Sequence, residues 1–219
     1  MDLFDILGPV MIGPSSSHTA GAARIGRVAR RLLGEMPKKA RIGLYGSFAK
    51  TWQGHGIDRA ILGGLLDMGV DDERLRGSRE LAAAAGMEFE FTAIDLKNAH
   101  PNTVVLDLTG VSGAHVTVQA ASVGGGNIRV QSLNGLEVGF AGDCTTIVIQ
   151  HSDAPGVIAD VSRLVAAAGL NIATMRVFRS EAGGPAAMAL ELDEEPPKGL
   201  IDGLRTLNKI QQVTLLNKL

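Results

Sequence analysis

Apolar positions along the chain recur with two periods, one helical and one alternating, and they switch often enough to predict a mixed α+β fold. Ile25, Val28, Ala29, Leu32 and Leu33 share one helical face. Arg24, Arg27, Arg30 and Arg31 stand mostly opposite, as in a helix laid on a core. A short strand is predicted over 40–45. Ile57, Ile61, Leu62 and Leu65 mark a second helix over 57–68, and 81–85 reads as a third. Residues 87–94 and 103–108 read as strands. From 114 to 140 the pattern is a β-meander closed by Leu133-Asn134-Gly135-Leu136, because Asn-Gly accepts the positive φ of a tight hairpin.

The rest of the chain is more regular. A strand over 146–150 precedes a helix marked by Val157, Ile158, Val161, Leu164, Val165 and Ala168, which Gly169 stops. A strand over 172–179 turns at Ala182-Gly183-Gly184-Pro185 into a strand over 187–192, where Met188, Leu190 and Leu192 alternate. Leu200, Ile201, Leu204 and Leu207 mark another helix, and 213–216 a last strand. The order βαββαβ is the ferredoxin-like arrangement. No repeat links the two regions. Two domains are expected, 1–144 with a mixed sheet and 145–219 with the ferredoxin-like fold.

Within that order, His151-Ser152-Asp153-Ala154-Pro155-Gly156-Val157 joins strand to helix, and Gly169-Leu170-Asn171-Ile172 joins helix to strand. The pattern is similar to the ACT domain, a small module that often binds amino acids at dimer interfaces. The residues allow such a role. Asp153 can cap the helix, Pro155 can pre-set its first turn, and Gly156 leaves backbone amides open to a carboxylate. The same residues equally suit an ordinary helix start. An effector site would comprise Asp153, Pro155, Gly156, Asn171 and Ile172, with dimerisation through this domain.

Composition narrows the chemistry. There is one Cys among 219 residues, with five His and a formal charge of −2. One thiol cannot form an internal disulfide, a Cys-rich zinc site or a complete ligand set for an iron–sulfur cluster. A reducing cytoplasm is the expected compartment. The near-zero charge lacks the basic footprint of a nucleic-acid partner. Met1-Asp2-Leu3-Phe4-Asp5 has no basic segment ahead of an apolar run, so no signal peptide is expected. The long uncharged stretches, 6–23 and 108–128, carry Pro and Ser or Gly, His and Gln, so no membrane span is expected. Gly is abundant, 28 residues, in separate groups that suggest tight turns and exposed amides.

One such group opens the first helix. The irregular segment from Gly8-Pro9 to Ser17 leads into His18-Thr19-Ala20-Gly21. Ser17 could act simply as an N-cap. Alternatively, the hydroxyls of Ser15, Ser16 and Ser17 with a helix N-terminus could hold a carboxylate or phosphate. His18 would add a group suited to proton transfer near neutrality.

The run Met11-Ile12-Gly13-Pro14-Ser15-Ser16-Ser17-His18-Thr19-Ala20-Gly21 resembles the signature of the beta chain of iron–sulfur-dependent L-serine dehydratases. The resemblance continues in Tyr45-Gly46-Ser47-Phe48-Ala49-Lys50-Thr51, in Gly54-His55-Gly56-Ile57-Asp58-Arg59-Ala60 and in Ser122-Val123-Gly124-Gly125-Gly126. With the ACT-like end it covers essentially the whole chain. It implies conversion of L-serine to pyruvate and ammonia, in partnership with an alpha subunit without which the chain is inactive. It also implies a 4Fe–4S cluster ligated by cysteines of that alpha chain, since Cys144 stands alone here.

The resemblance assigns proton transfer to His18 or His55, with the choice open. It assigns substrate binding to Ser15, Ser16, Ser17, Thr19, Ser122, Gly124, Gly125 and Gly126. From sequence alone Ser122 and the triple glycine read equally as a β-bulge or wide turn. His100 reads as a turn residue, His115 as a strand-face residue, Lys50 and Trp52 as packing or surface, and Asp58 as a cap or charged neighbour of its helix. Cys144 reads as a small buried hydrophobe. Other chemistries lack their motifs: no Gly-Lys pair for a P-loop, no dinucleotide fingerprint, no His-Glu-x-x-His, and no recognisable Schiff-base Lys. Two competing readings stand beside the enzyme. One is a non-catalytic amino-acid sensor acting through the ACT-like domain; the other is a phosphate-binding helix start. Threonine is the competing substrate.

Overall fold

The computed structural model describes residues 11–218. Met1 to Val10 lie outside the described residues, and with them the expectations for the extreme N-terminus and for Gly8-Pro9. The chain divides into two compact units, Met1–Asn134 and Gly135–Leu219.

The first described element is a π-helical turn, Ser16–Ala20, which runs directly into α1 (Gly21–Leu33). The residues predicted to face inward on α1 do so: Ile25, Val28, Ala29 and Leu32 are buried. Gly34 ends the helix in the left-handed conformation at φ 83°, donating its N–H to the Arg30 carbonyl. β1 (Pro37–Leu44) follows, then α2 (Gly46–Thr51), a short helix absent from the sequence expectation. α3 (Ile57–Leu65) ends before the predicted position, where Asp67 takes a positive φ of 62°. A 3-10 turn (Glu73–Gly77), also unanticipated, leads to α4 (Ser78–Ala84).

The sheet of this unit comprises β2 (Glu88–Ala93), β1, β3 (Thr103–Gly110), β4 (His115–Gly124) and β5 (Asn127–Leu133), neighbours in that order. β1 and β2 run parallel and the remaining pairs antiparallel, giving the expected mixed sheet. α1 packs on the sheet and α3 packs on α1. Their backbones meet at two glycines. A Cβ on Gly26 would strike the Ile61 carbonyl, and one on Gly64 would lie 2.7 Å from the Arg27 nitrogen. No helix among the described residues is long and apolar enough to cross a membrane.

Asn134 and Gly135, at φ 51° and 79°, form the predicted hairpin turn ahead of β6 (Leu136–Phe140). β6 groups with the second unit, which includes β7 (Thr145–Ser152), α5 (Val157–Ala167), β8 (Ile172–Arg179), β9 (Pro185–Leu192), α6 (Lys198–Arg205) and β10 (Ile210–Leu216). The expected βαββαβ order is present, with spatial order β10-β7-β9-β8. Its core gathers Ile147 and Ile149 of β7 with Val161 and Val165 of α5, Met188 and Leu190 of β9, and Leu204 of α6.

Candidate active site

The Ser-rich entrance folds differently from a plain helix start. Ser15, not Ser17, is the capping residue. Ser15 is extended at φ −147°, and its Oγ accepts the backbone N–H of His18 at 3.2 Å. His18 lies within the π turn that follows, and such turns recur at functional sites. Nδ1 of His18 stands 3.4 Å from Ser15 Oγ, and Nε2 stands 3.2 Å from Ser47 Oγ. Each ring nitrogen therefore faces a hydroxyl.

Ser47 owes its place to α2. Gly46 turns the chain at φ 60°, and its bare Cα packs against Pro101, whose carbonyl would be 2.6 Å from a Cβ there. The same carbonyl accepts the N–H of Ser47 at 2.7 Å. His55 follows α2 in a loop, its N–H donated to the Thr51 carbonyl at 3.0 Å. Its ring centre lies 5.2 Å from that of His18, and the Phe48 ring lies 5.5 Å from His18. Partial burial, and then the neighbouring His55, lower the His18 pKa below its ordinary 6.5. Both effects favour the neutral imidazole, the form that can accept a proton.

A cavity of about 200 Å³ opens beside His55, lined among others by Gly13, Pro14, Thr19, His55, Arg59 and Arg76. Thr19 is 5% exposed, and its Oγ1 has no hydrogen-bond partner among the described residues. Ser16 and Ser17 are half-buried, with neither hydroxyl engaged among the described residues.

Ser122 sits behind the π turn rather than on the cavity. It is fully buried, its Oγ fills the space a side chain on Gly21 would need, and its N–H donates to the Asn102 carbonyl at 3.1 Å. The β4–β5 register shifts between Ser122 and Gly124, as a bulge requires, and Gly124, Gly125 and Gly126 all take positive φ. Arg24 of α1 donates to the Gly126 carbonyl at 2.8 Å. The two-residue segment Pro101-Asn102 thus holds both Ser47 and Ser122 by their amides.

The remaining residues take plainer places. Asp58 is buried and paired with Arg79 at 3.2 Å. Trp52 stacks on Phe91 at 5.3 Å and Lys50 is exposed. His100 accepts the Asn102 N–H in its turn, and His115 pairs with Asp107 on the strand face. Cys144 is only half-buried, which corrects the expectation of a core thiol; burial nonetheless raises its pKa. Ser47 and Arg24 were missed as site residues. Ser47 lies inside a quoted motif, and its Gly-Ser step at a helix start was the available signal.

In the second unit Asp153 does not cap α5. Gly156, at φ 92°, is the N-cap, and no side chain bonds the helix start. Asp153 instead accepts from the Gly183 N–H at 3.1 Å and from Arg179 at 2.7 Å, which hold its carboxyl below the ordinary range. Asn171 donates to Asp193 at 2.6 Å. Arg179 ends β8 and Asn171 precedes it, so within one chain Asp153, Pro155 and Gly156 lie at the opposite end of that strand from Asn171 and Ile172.

A cluster built on several thiolates finds no ligand set in this chain. Cys144 is its single cysteine, and no group of three or more His, Cys, Asp or Glu side chains gathers among the described residues.

Comparison with known proteins agrees with both units. Residues 1–132 match the family model for the serine dehydratase beta chain, and residues 145–208 match that for the ACT domain. The chain is 44% identical over 212 residues to the probable L-serine dehydratase beta chain of Bacillus subtilis (strain 168), covering 97% of this chain and 96% of that one. It is 37% identical to the L-serine dehydratase beta chain of Peptoniphilus asaccharolyticus, over 87% of this chain and 86% of that one. Among solved structures, the ACT domain from the GTP pyrophosphokinase of Chlorobium tepidum aligns at 20% identity with a TM-score of 0.28, covering 33% of this chain and 95% of that one. With a matching family model across most of its first unit and a beta chain aligned nearly end to end, the chain belongs to the serine dehydratase beta chain family and carries a C-terminal ACT domain.

Proposed function

We propose that this chain is the beta subunit of a two-chain iron–sulfur L-serine dehydratase, active only with its alpha subunit. The reaction removes the Cα proton and the β-hydroxyl of L-serine as water. The aminoacrylate left behind tautomerises and hydrolyses to pyruvate and ammonia. A 4Fe–4S cluster, held by cysteines of the alpha chain, would supply the Lewis acid that assists departure of the hydroxyl.

The single observation that carries this reading is the placement of His18, flanked by Ser15 and Ser47 and facing His55 across 5.2 Å. A neutral imidazole can take the Cα proton, and two hydroxyls hold its ring in one orientation. His55 is exposed on the cavity side and can play the same part; the two rings form one proton-handling pair. Ser15, Ser16, Ser17 and Thr19 offer hydroxyls to the amino and carboxylate groups of the substrate. The glycine turn at Gly124, Gly125 and Gly126 presents bare backbone, fixed by Arg24, beside Ser122, which supports the π turn from behind.

The sensor reading is less well supported. Its residues, Asp153 and Asn171, already bond to Arg179 and Asp193 respectively. Co-expression with the cognate alpha chain under anaerobic conditions separates the two. The enzyme reading expects pyruvate from L-serine only when both chains are present. A pair without deaminase activity, joined by a lone chain whose serine binding depends on Asp153 and Asn171, would contradict it.

A further inference from the structure

The cavity beside His55 carries two cationic side chains among its described lining residues. Arg59, in the first turn of α3, and Arg76, in the 3-10 turn, both line it, and neither is paired among the described residues. No Asp or Glu is among its described lining residues. The acidic residue of the same helical turn, Asp58, is occupied by Arg79 at 3.2 Å. Gly56 also lines the cavity, as the N-cap of α3 at φ 67°, so no side chain caps that nine-residue helix where it opens. Thr19 adds a buried hydroxyl that no described group satisfies, an arrangement that is costly unless a ligand completes it.

Arg59, Arg76 and the orphan Thr19 hydroxyl line one space, at a helix start whose first amide, that of Ile57, already donates to the Trp52 carbonyl, and the two guanidinium groups favour an anion there. The volume is about 200 Å³. It suits a small metabolite and falls below the range of drug-sized ligand sites. His55 forms part of the wall and lies beside His18. A carboxylate seated here would bring the carbon that bears it next to His55, the member of the proton-handling pair that lines the cavity.

We propose that this cavity is the carboxylate pocket for the amino-acid substrate, with Arg59 and Arg76 holding the α-carboxylate and Thr19 Oγ1 donating to it. The assignment rests on the serine dehydratase reading and extends it. It leaves the Ser15–Ser17 hydroxyls for the amino group. Arg59 is well placed for such a role because its carbonyl accepts the buried Ser78 hydroxyl at 2.6 Å, fixing the helical turn that carries the guanidinium.

The test uses Arg59→Gln, Arg76→Gln and the double variant in the anaerobic two-chain complex. Both side chains are exposed, so folding is expected to be preserved, and melting temperature with Arg59→Lys checks it. The KM for L-serine should rise about tenfold or more in each single variant, as expected for loss of a charge-assisted bond, with kcat retained within about threefold. An unchanged KM in the double variant overturns the proposal. Calorimetry on the full chain alone provides a second measurement, with L-serine and L-serinamide as probes. L-Serine should bind at least about tenfold more tightly than L-serinamide, a preference the double variant should lose. Equal binding of the two probes, or no L-serine binding to chain or complex, also overturns it. A complex inactive from the outset instead contradicts the dehydratase reading, while the calorimetric preference still decides the pocket.

Discussion

His18 illustrates how a single side chain is tuned by what surrounds it. Burial and the adjacent His55 both disfavour its imidazolium, so the folded state binds a proton less readily than the unfolded chain. As pH falls through about 6.5 the unfolded chain takes up the proton first, and stability declines from there toward the lower, folded pKa. Above that window His18 contributes no pH dependence. The melting temperature should therefore drop between pH 7.5 and 5.5, and His18→Gln should shrink the drop. An identical drop in the variant would show that other groups cause it. Ser47 is a positioning residue in this scheme. Ser47→Ala should lower kcat by about tenfold or more while moving the KM for L-serine little, because it frees one side of the imidazole. Much of this was legible in the chain itself, since His18, His55 and the serines stand in dense local motifs. What was not legible depended on tertiary packing. The Ser47 hydroxyl meets His18 only because Pro101 receives Gly46, and the Ser122 side chain turns inward because Gly21 leaves it room.

Among elements, the approach of α1 and α3 governs how the site is held. Gly26 and Gly64 let the two backbones touch, with Gly64 also 2.9 Å from the Gly26 Cα if it gained a Cβ. Gly64→Ala should cost about 1–3 kcal/mol, as overpacking does, read from chemical denaturation. Because α3 carries Arg59 and follows His55, the same change should weaken activity beyond the loss of folded protein. A variant as stable as the parent would refute the close-packed crossing. Periodicity located the long helices and most strands, since each buries a continuous face. It missed α2 and the 3-10 turn, which are too short to show a period, and it placed two caps on the wrong residues. The π turn shifted the cap to Ser15, while Asp153 found stronger partners in Gly183 and Arg179 than the α5 start could offer.

At the scale of the molecule, each unit has its own sheet and buried core. In the second unit Leu190 of β9 is fully buried in the cluster that includes Val161 and Val165 of α5 and Leu204 of α6. Leu190→Ala should destabilise this unit by about 2–5 kcal/mol, measured by hydrogen exchange of β7 and β9 amides. The ferredoxin-like order of this unit was readable from sequence because each element is short, regular and bounded by a turn. One thiol supplies too few ligands for a 4Fe–4S cluster, so the proposed reaction places the cluster on a second polypeptide.

The central claim is that this chain brings the proton-handling pair to a shared active site. Its most direct test is pyruvate formation from L-serine by the anaerobic alpha–beta complex, comparing wild type with His18→Ala and His55→Ala. At least one substitution should lower kcat/KM by about a hundredfold or more, with the cluster absorbance of the complex unchanged. Full deaminase activity in both variants, with an intact cluster, would contradict the account.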